Sequence, residues 1–194
     1  MIFDSILKNI ERHITLSEAE KADFCSLLEV IQVKKKEYLI HQEEICTHEA
    51  YINKGCFRTF FVDREEVEHT FYFGIEDWWI SDIYSRTFKV PSQYKIMALE
   101  DAEVFLISDN ALEAFLLRVP KMEYFYRKLF QHSMAVYQLR LLQLHQHTAE
   151  ERYRNFRQKY PEFDRRIPQK YIASFLGLTP EFFNTVRTRV LKSW

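Results

Sequence analysis

The chain has 194 residues, 47% of them hydrophobic and 16% aromatic, enough to build one large or two small cored domains and too apolar for a disordered segment. No run approaches the roughly 18 apolar residues that span a bilayer, and the start, Met1-Ile2-Phe3-Asp4, has neither a basic stretch nor an apolar signal core, so a cytoplasmic protein with no membrane partner is expected. The net charge of −1 excludes a uniformly basic nucleic-acid coat, yet residues 150–194 carry 10 Lys and Arg against 5 Asp and Glu, leaving 17 against 23 for residues 1–149. A basic tail on an acidic body predicts two parts with two jobs.

Residues 1–32 read as helices, with Thr15-Leu16-Ser17-Glu18 as a capping box ahead of Phe24, Leu27, Leu28 and Ile31. From Val33 the period changes. Residues 38–40, 50–53, 57–62, 67–73, 94–99 and 104–107 are short runs rich in aromatic and β-branched residues, separated by polar turns such as Asn53-Lys54-Gly55 and Asp63-Arg64-Glu65-Glu66. Runs of this kind predict an antiparallel roll or barrel. With three glycines in the whole chain, Gly55 and Gly74 are expected to mark backbone positions closed to other residues. Cys25, Cys46 and Cys56 are odd in number and lack C-x-x-C spacing, which predicts packed thiols rather than disulfides, and no metal or iron–sulfur cofactor.

A short helix over residues 109–118 precedes Pro120, which opens a long helix to about His147. Met122, Phe125, Leu129, His132, Val136 and Leu139 recur at spacings of three and four, a heptad seam that calls either for a partner helix in a homodimer or for the chain's own β-roll. Tyr137, Leu141 and Leu144 offer a second face. Thr148-Ala149-Glu150-Glu151 is a capping box for a further helix ending at Pro161, and Thr148 is the expected boundary of a last domain.

Residues 167–194 read as a helix-turn-helix. Pro168 suits a first helical position, Ile172, Ala173 and Leu176 recur at helical spacing, Gly177 can take the left-handed conformation that stops the helix, and Thr179-Pro180-Glu181 restarts it. The small Ala173 permits the close crossing of two helices. In the second helix Phe183, Val186 and Val190 form a packing face, while Glu181, Asn184, Thr185 and Thr188 form a face fit for base edges in a major groove. Lys170, Thr179, Arg187, Arg189 and Lys192, with Arg166, are candidates for phosphate contacts. The alternative at this point is a helical hairpin closing another core. The sequence stops at Trp194, from which no C-terminal wing is expected.

This order of parts resembles the Crp/Fnr superfamily of transcription regulators, in the short form found in Bacteroidetes-like bacteria. The likeness is carried by Gly55-Cys56-Phe57-Arg58, Tyr72-Phe73-Gly74, Ala98-Leu99-Glu100-Asp101, the segment from Thr148 to Tyr153, and Ile172 to Glu181. It implies an α+β fold with three parts. These are a cyclic-nucleotide-binding-type antiparallel β-roll with flanking helices (1–119), a long dimerisation helix (120–147) and a helix-turn-helix domain (148–194). It also implies double-stranded DNA as partner, with RNA polymerase and an unidentified small-molecule effector as further ones.

The resemblance places an effector pocket at Arg58, Phe71, Phe73, Gly74, Glu76, Ser92 and Gln93. Nucleotide-binding members carry an Arg-Ser pair for the cyclic phosphate, but the aligned positions here are Ser92 and Gln93. Loss of that charge-assisted bond predicts a protein that does not respond to cyclic AMP. Trp78, Trp79 and Tyr84 could join Phe71 and Phe73 in lining an apolar pocket, or fill core instead. The competing class is a cupin-like small-molecule-binding β-roll without DNA binding. It would need converging ligands, and His41, His48 and His69 show no metal-binding spacing, so a non-enzyme is expected.

Overall fold

A computed structural model describes residues 2–192, and Trp194 lies outside them. The order of elements is α1 (Asp4–Glu11), α2 (Glu18–Ser26), β1 (Glu29–Val33), β2 (Tyr38–Ile40), β3 (His48–Lys54), β4 (Phe57–Val62), β5 (Glu68–Gly74), β6 (Trp79–Ile80), α3 (Ile83–Phe88), β7 (Lys95–Ala98), β8 (Ala102–Ser108), α4 (Asp109–Arg118), α5 (Lys121–Gln146), α6 (Ala149–Lys159), α7 (Phe163–Arg166), α8 (Gln169–Phe175) and α9 (Pro180–Lys192). The chain divides into two compact units, one of Met1–Thr59 with Phe73–Gln131, the other of Phe60–Tyr72 with His132–Trp194.

The strands form two four-stranded sheets, in the orders β1-β8-β3-β6 and β2-β7-β4-β5. The expected antiparallel roll with flanking helices is therefore present. Residues 27–32 depart from the helical expectation: Glu29 to Val33 pair antiparallel with Leu106 to Ala102 as β1, because Val30, Ile31 and Val33 fit a pleated surface better than a helical turn. The cap of α2 also differs. Ser17 and Glu20 form the capping box in place of Thr15 and Glu18. The short elements β6, α3 and α7 were not expected.

The first unit packs around Ile6, Phe24, Tyr51, Phe105, Phe115 and Phe125. Phe125 is 1% exposed and Met122 fully buried, so the first half of the heptad seam faces the chain's own core. Phe125 is thereby excluded from a dimer seam, and Leu129 packs against the same core. Trp79 meets Tyr51, Phe125 and Tyr126 at ring separations of 5.5–5.8 Å, which places it in core. Gly55 has φ +107°, and a Cβ there would lie 2.5 Å from that of Ala102. Gly74 instead avoids crowding, since a Cβ would lie 2.7 Å from Ile52 Cδ1.

A buried ion network fixes α3 within this unit. Arg86 reaches Glu49 of β3 and Asp109 of α4 at 2.7 Å each, and Lys89 reaches Asp109 at 2.7 Å. Burial pushes the Glu49 carboxyl up against the opposing pull of Arg86. Burial also acts to raise Asp109, but its hydrogen bonds from Lys89 and Arg86 hold it below the ordinary aspartate range.

Candidate nucleic-acid interface

The second unit is built on α6, α8 and α9. Thr148 and Glu151 cap α6 reciprocally, and its Tyr153 ring meets Phe183 of α9 edge-on at 5.1 Å. Ile172 and Ala173 of α8 and Phe183, Val186 and Val190 of α9 are buried, as their spacing required. Pro168 sits one position outside the expected place. It is the N-cap of α8, its carbonyl accepting from the amides of Tyr171 and Ile172.

The turn between the two helices follows from Gly177. At φ +69° it lets the Leu178 amide donate to the Ala173 carbonyl at 2.9 Å, the six-to-one bond of a Schellman stop. The chain restarts at once. Phe182 N–H donates to Thr179 Oγ1 at 3.2 Å, and Pro180 takes the first helical position.

Glu181, Asn184, Thr185 and Thr188 are all exposed on α9. Around them Lys170, Thr179, Arg189 and Lys192 are exposed as well, while Arg166 and Arg187 are half-buried. Arg187 Nε is buried with no hydrogen-bond partner among the described residues, so this side chain is less available to a phosphate than the sequence suggested. Arg189 pairs with Glu150 at 3.2 Å, an exposed contact of the kind that exchanges readily for another anion. Lys170 rests its ammonium 4.9 Å from the Tyr171 ring centroid.

Two residues that the sequence did not single out tie α8 to the β5 strand inside this unit. Ser174 Oγ donates to the Glu68 carbonyl at 3.0 Å and accepts from the Thr70 amide at 2.8 Å. The Arg140 guanidinium of α5 lies 4.1 Å from the Phe175 ring centroid, donates to the Phe175 carbonyl at 3.0 Å, and donates to the Phe71 carbonyl. Burial pulls Arg140 down to about 10. Backbone groups of the edge strand β5 are thereby satisfied by side chains of α8 and α5 rather than by another strand. No periodicity signals such a contact between residues about 70 and 105 positions apart in the chain.

The residues expected to form an effector pocket do not present themselves as one. Arg58 and Phe73 are interior, at 1% and 2% exposure, whereas Gln93 is exposed. Glu76 Oε1 accepts from the Gly55 amide at 2.9 Å. Ser92 Oγ lies 2.7 Å from Asp82 Oδ2 and 2.8 Å from the Tyr94 carbonyl, so a carboxylate stands where an anionic ligand would need a cation. Phe71 belongs to the second unit and stacks on Tyr137 at 5.7 Å. A pocket of about 180 Å³ does exist in the first unit, lined by Ile40, Glu44, Cys46, His48, Ala50 and Ile80 among others, and it includes none of the expected residues. Among the described residues no group of three or more His, Cys, Asp or Glu side chains is placed to hold a metal ion, and no helix is long and apolar enough to cross a membrane.

No protein-family model matches the sequence, and no curated protein does. Solved structures do match in fold. The structure of FixK2 from Bradyrhizobium japonicum superposes with a TM-score of 0.66 at 18% identity, covering 86% of this chain and 85% of that one. The c-di-GMP-responsive global regulator CLP of Xanthomonas campestris gives 0.71 at 9% identity over 91% and 93%. A CooA variant from Carboxydothermus hydrogenoformans gives 0.70 at 15% identity over 96% and 84%. The chain therefore has the fold of the Crp/Fnr-type transcription regulators, in agreement with the resemblance carried by its motifs.

Proposed function

We propose that this protein is a homodimeric, DNA-binding transcription regulator that acts in the cytoplasm and is not an enzyme. The observation that carries the reading is α9, a helix anchored by Phe183, Val186 and Val190 whose opposite face is polar, exposed and flanked by lysine and arginine. Glu181 and Asn184 are the side chains to read cytosine N4 and adenine N6/N7. Lys170, Arg189 and Lys192 are the side chains to neutralise phosphates, with the Thr179 hydroxyl as a hydrogen-bond donor to one and Arg187 in a lesser role. Residues 1–119 form the sensor-type part, 120–147 the dimerisation helix and 148–194 the DNA-binding part. RNA polymerase is the further partner such a regulator meets.

The homodimer rests on the second half of α5. Leu139 is 47% exposed and Leu142 50%, three residues apart on an apolar stripe that a second copy of the helix would cover. His132 is exposed beside them, and Val136 is half-buried. Two such helices would hold the reading helices about 34 Å apart, one turn of DNA.

Gel-shift titrations test the role of α9. Glu181→Ala is expected to relax preference at one base pair per half-site, at a cost of about 1–3 kcal/mol against the preferred site. Arg189→Ala should weaken all sequences alike and flatten the salt dependence by about one unit of slope. Uniform loss in both variants would contradict the assignment of Glu181 to a base edge. The effector is not cyclic AMP on this reading, because Asp82 holds the Ser92 hydroxyl and the adjacent aligned position is the uncharged Gln93. Calorimetry with cyclic AMP should show no saturable heat in the micromolar range, and saturable heat there would overturn that part.

A further inference from the structure

The surface of α9 that faces away from the core carries more apolar chemistry than its sequence suggests. Thr188 Oγ1 donates to the Asn184 carbonyl at 2.9 Å, and Thr185 Oγ1 donates to the Glu181 carbonyl at 3.4 Å. Threonine in a helix commonly engages its hydroxyl in this way. What these two residues then offer to a ligand is their γ-methyl groups. Phe182 stands one turn earlier and is 46% exposed, although the adjacent Phe183 is buried in the core. A lone exposed phenylalanine is unremarkable on a general protein surface. Here it flanks the reading face one turn before Thr185, on the one helix proposed to enter a groove.

The major groove displays a single apolar group, the C5 methyl of thymine. From Phe182 to its neighbour Thr185 the helix rises about 4.5 Å, at 1.5 Å per residue, little more than one base step of about 3.4 Å. We propose that Phe182, with the Thr185 methyl beside it, reads the C5 methyl of at least one thymine in each half-site, next to the bases read by Glu181 and Asn184. Phe182 is then a specificity residue of the interface, and Thr185 and Thr188 act through their methyl groups rather than as hydrogen-bond donors. This inference rests on the DNA-binding reading above.

The test uses the full chain and the DNA site it selects from a random pool. Each thymine of the half-site is replaced in turn by uracil, which removes the methyl and leaves every hydrogen-bonding group in place. Wild-type protein is expected to lose about three- to fivefold in affinity at one or two positions, the worth of one buried methyl. Phe182→Ala, an exposed substitution that leaves the packing face intact, should bind the thymine site more weakly and no longer distinguish uracil at that position. Equal binding of thymine and uracil sites by wild type, with sequence preference otherwise retained, would overturn the inference and leave the DNA-binding reading standing. So would a uracil effect that persists undiminished in Phe182→Ala. Failure to select any sequence would overturn both.

Discussion

Replacing Arg86 by methionine is expected to remove about 3–5 kcal/mol of folding stability. The Glu49 side chain is 4% exposed and is held by Arg86 at 2.7 Å. Without the guanidinium a carboxylate stays inside the first unit with no counter-charge, and it must either take up a proton or draw in water. Asp109 suffers less, because Lys89 still reaches it. Pairing Arg86→Met with Glu49→Leu removes the uncompensated charge and should recover most of the loss. Urea unfolding of the two single variants and the double variant measures the coupling directly. Additive losses would show that the pair does not act as a unit.

The second large effect concerns assembly. Leu139→Asp and Leu142→Asp each place a carboxylate on the stripe of α5 where Leu139 and Leu142 are exposed. Each should leave the fold intact, because neither of these side chains belongs to the buried core. Each should convert a dimer to a monomer in sedimentation, since a seam charge would be desolvated on both sides of the two-fold axis. DNA affinity should fall about a hundredfold or more, as the benefit of two linked half-site contacts disappears. An unchanged dimer would move the interface away from this surface.

Much of this architecture is legible in the residues themselves. The strand Phe57–Val62 falls where its aromatic and β-branched run predicts, and the turn from Gly177 through Thr179 and Pro180 to α9 follows from backbone chemistry that few other residues supply. Glycine, a hydroxyl cap and proline each act within a few positions of themselves, so their signal is local. The failures share the opposite property. Val30 to Val33 form a strand because β8 lies beside them, and a short apolar run does not distinguish helix from strand on period alone. Phe125 keeps heptad spacing but serves the core formed with Phe24 and Phe115, since one helical stripe fits either partner. The contacts of Arg86 with Glu49 and of Ser174 with Glu68 join residues far apart in the chain, and the types involved carry no periodic mark. Phe182 was hidden for a different reason: beside the buried Phe183, an aromatic pair reads as core until its exposure is known.

Two copies of α9 are expected to read two half-sites of one DNA sequence. Selection of bound fragments from a random duplex pool by the purified protein shows whether they do. The expected product is a two-fold symmetric sequence whose half-site centres lie about 10 base pairs apart, or a whole number of helical turns. Recovery of no enriched sequence, or of a single asymmetric element bound by one copy, would contradict it.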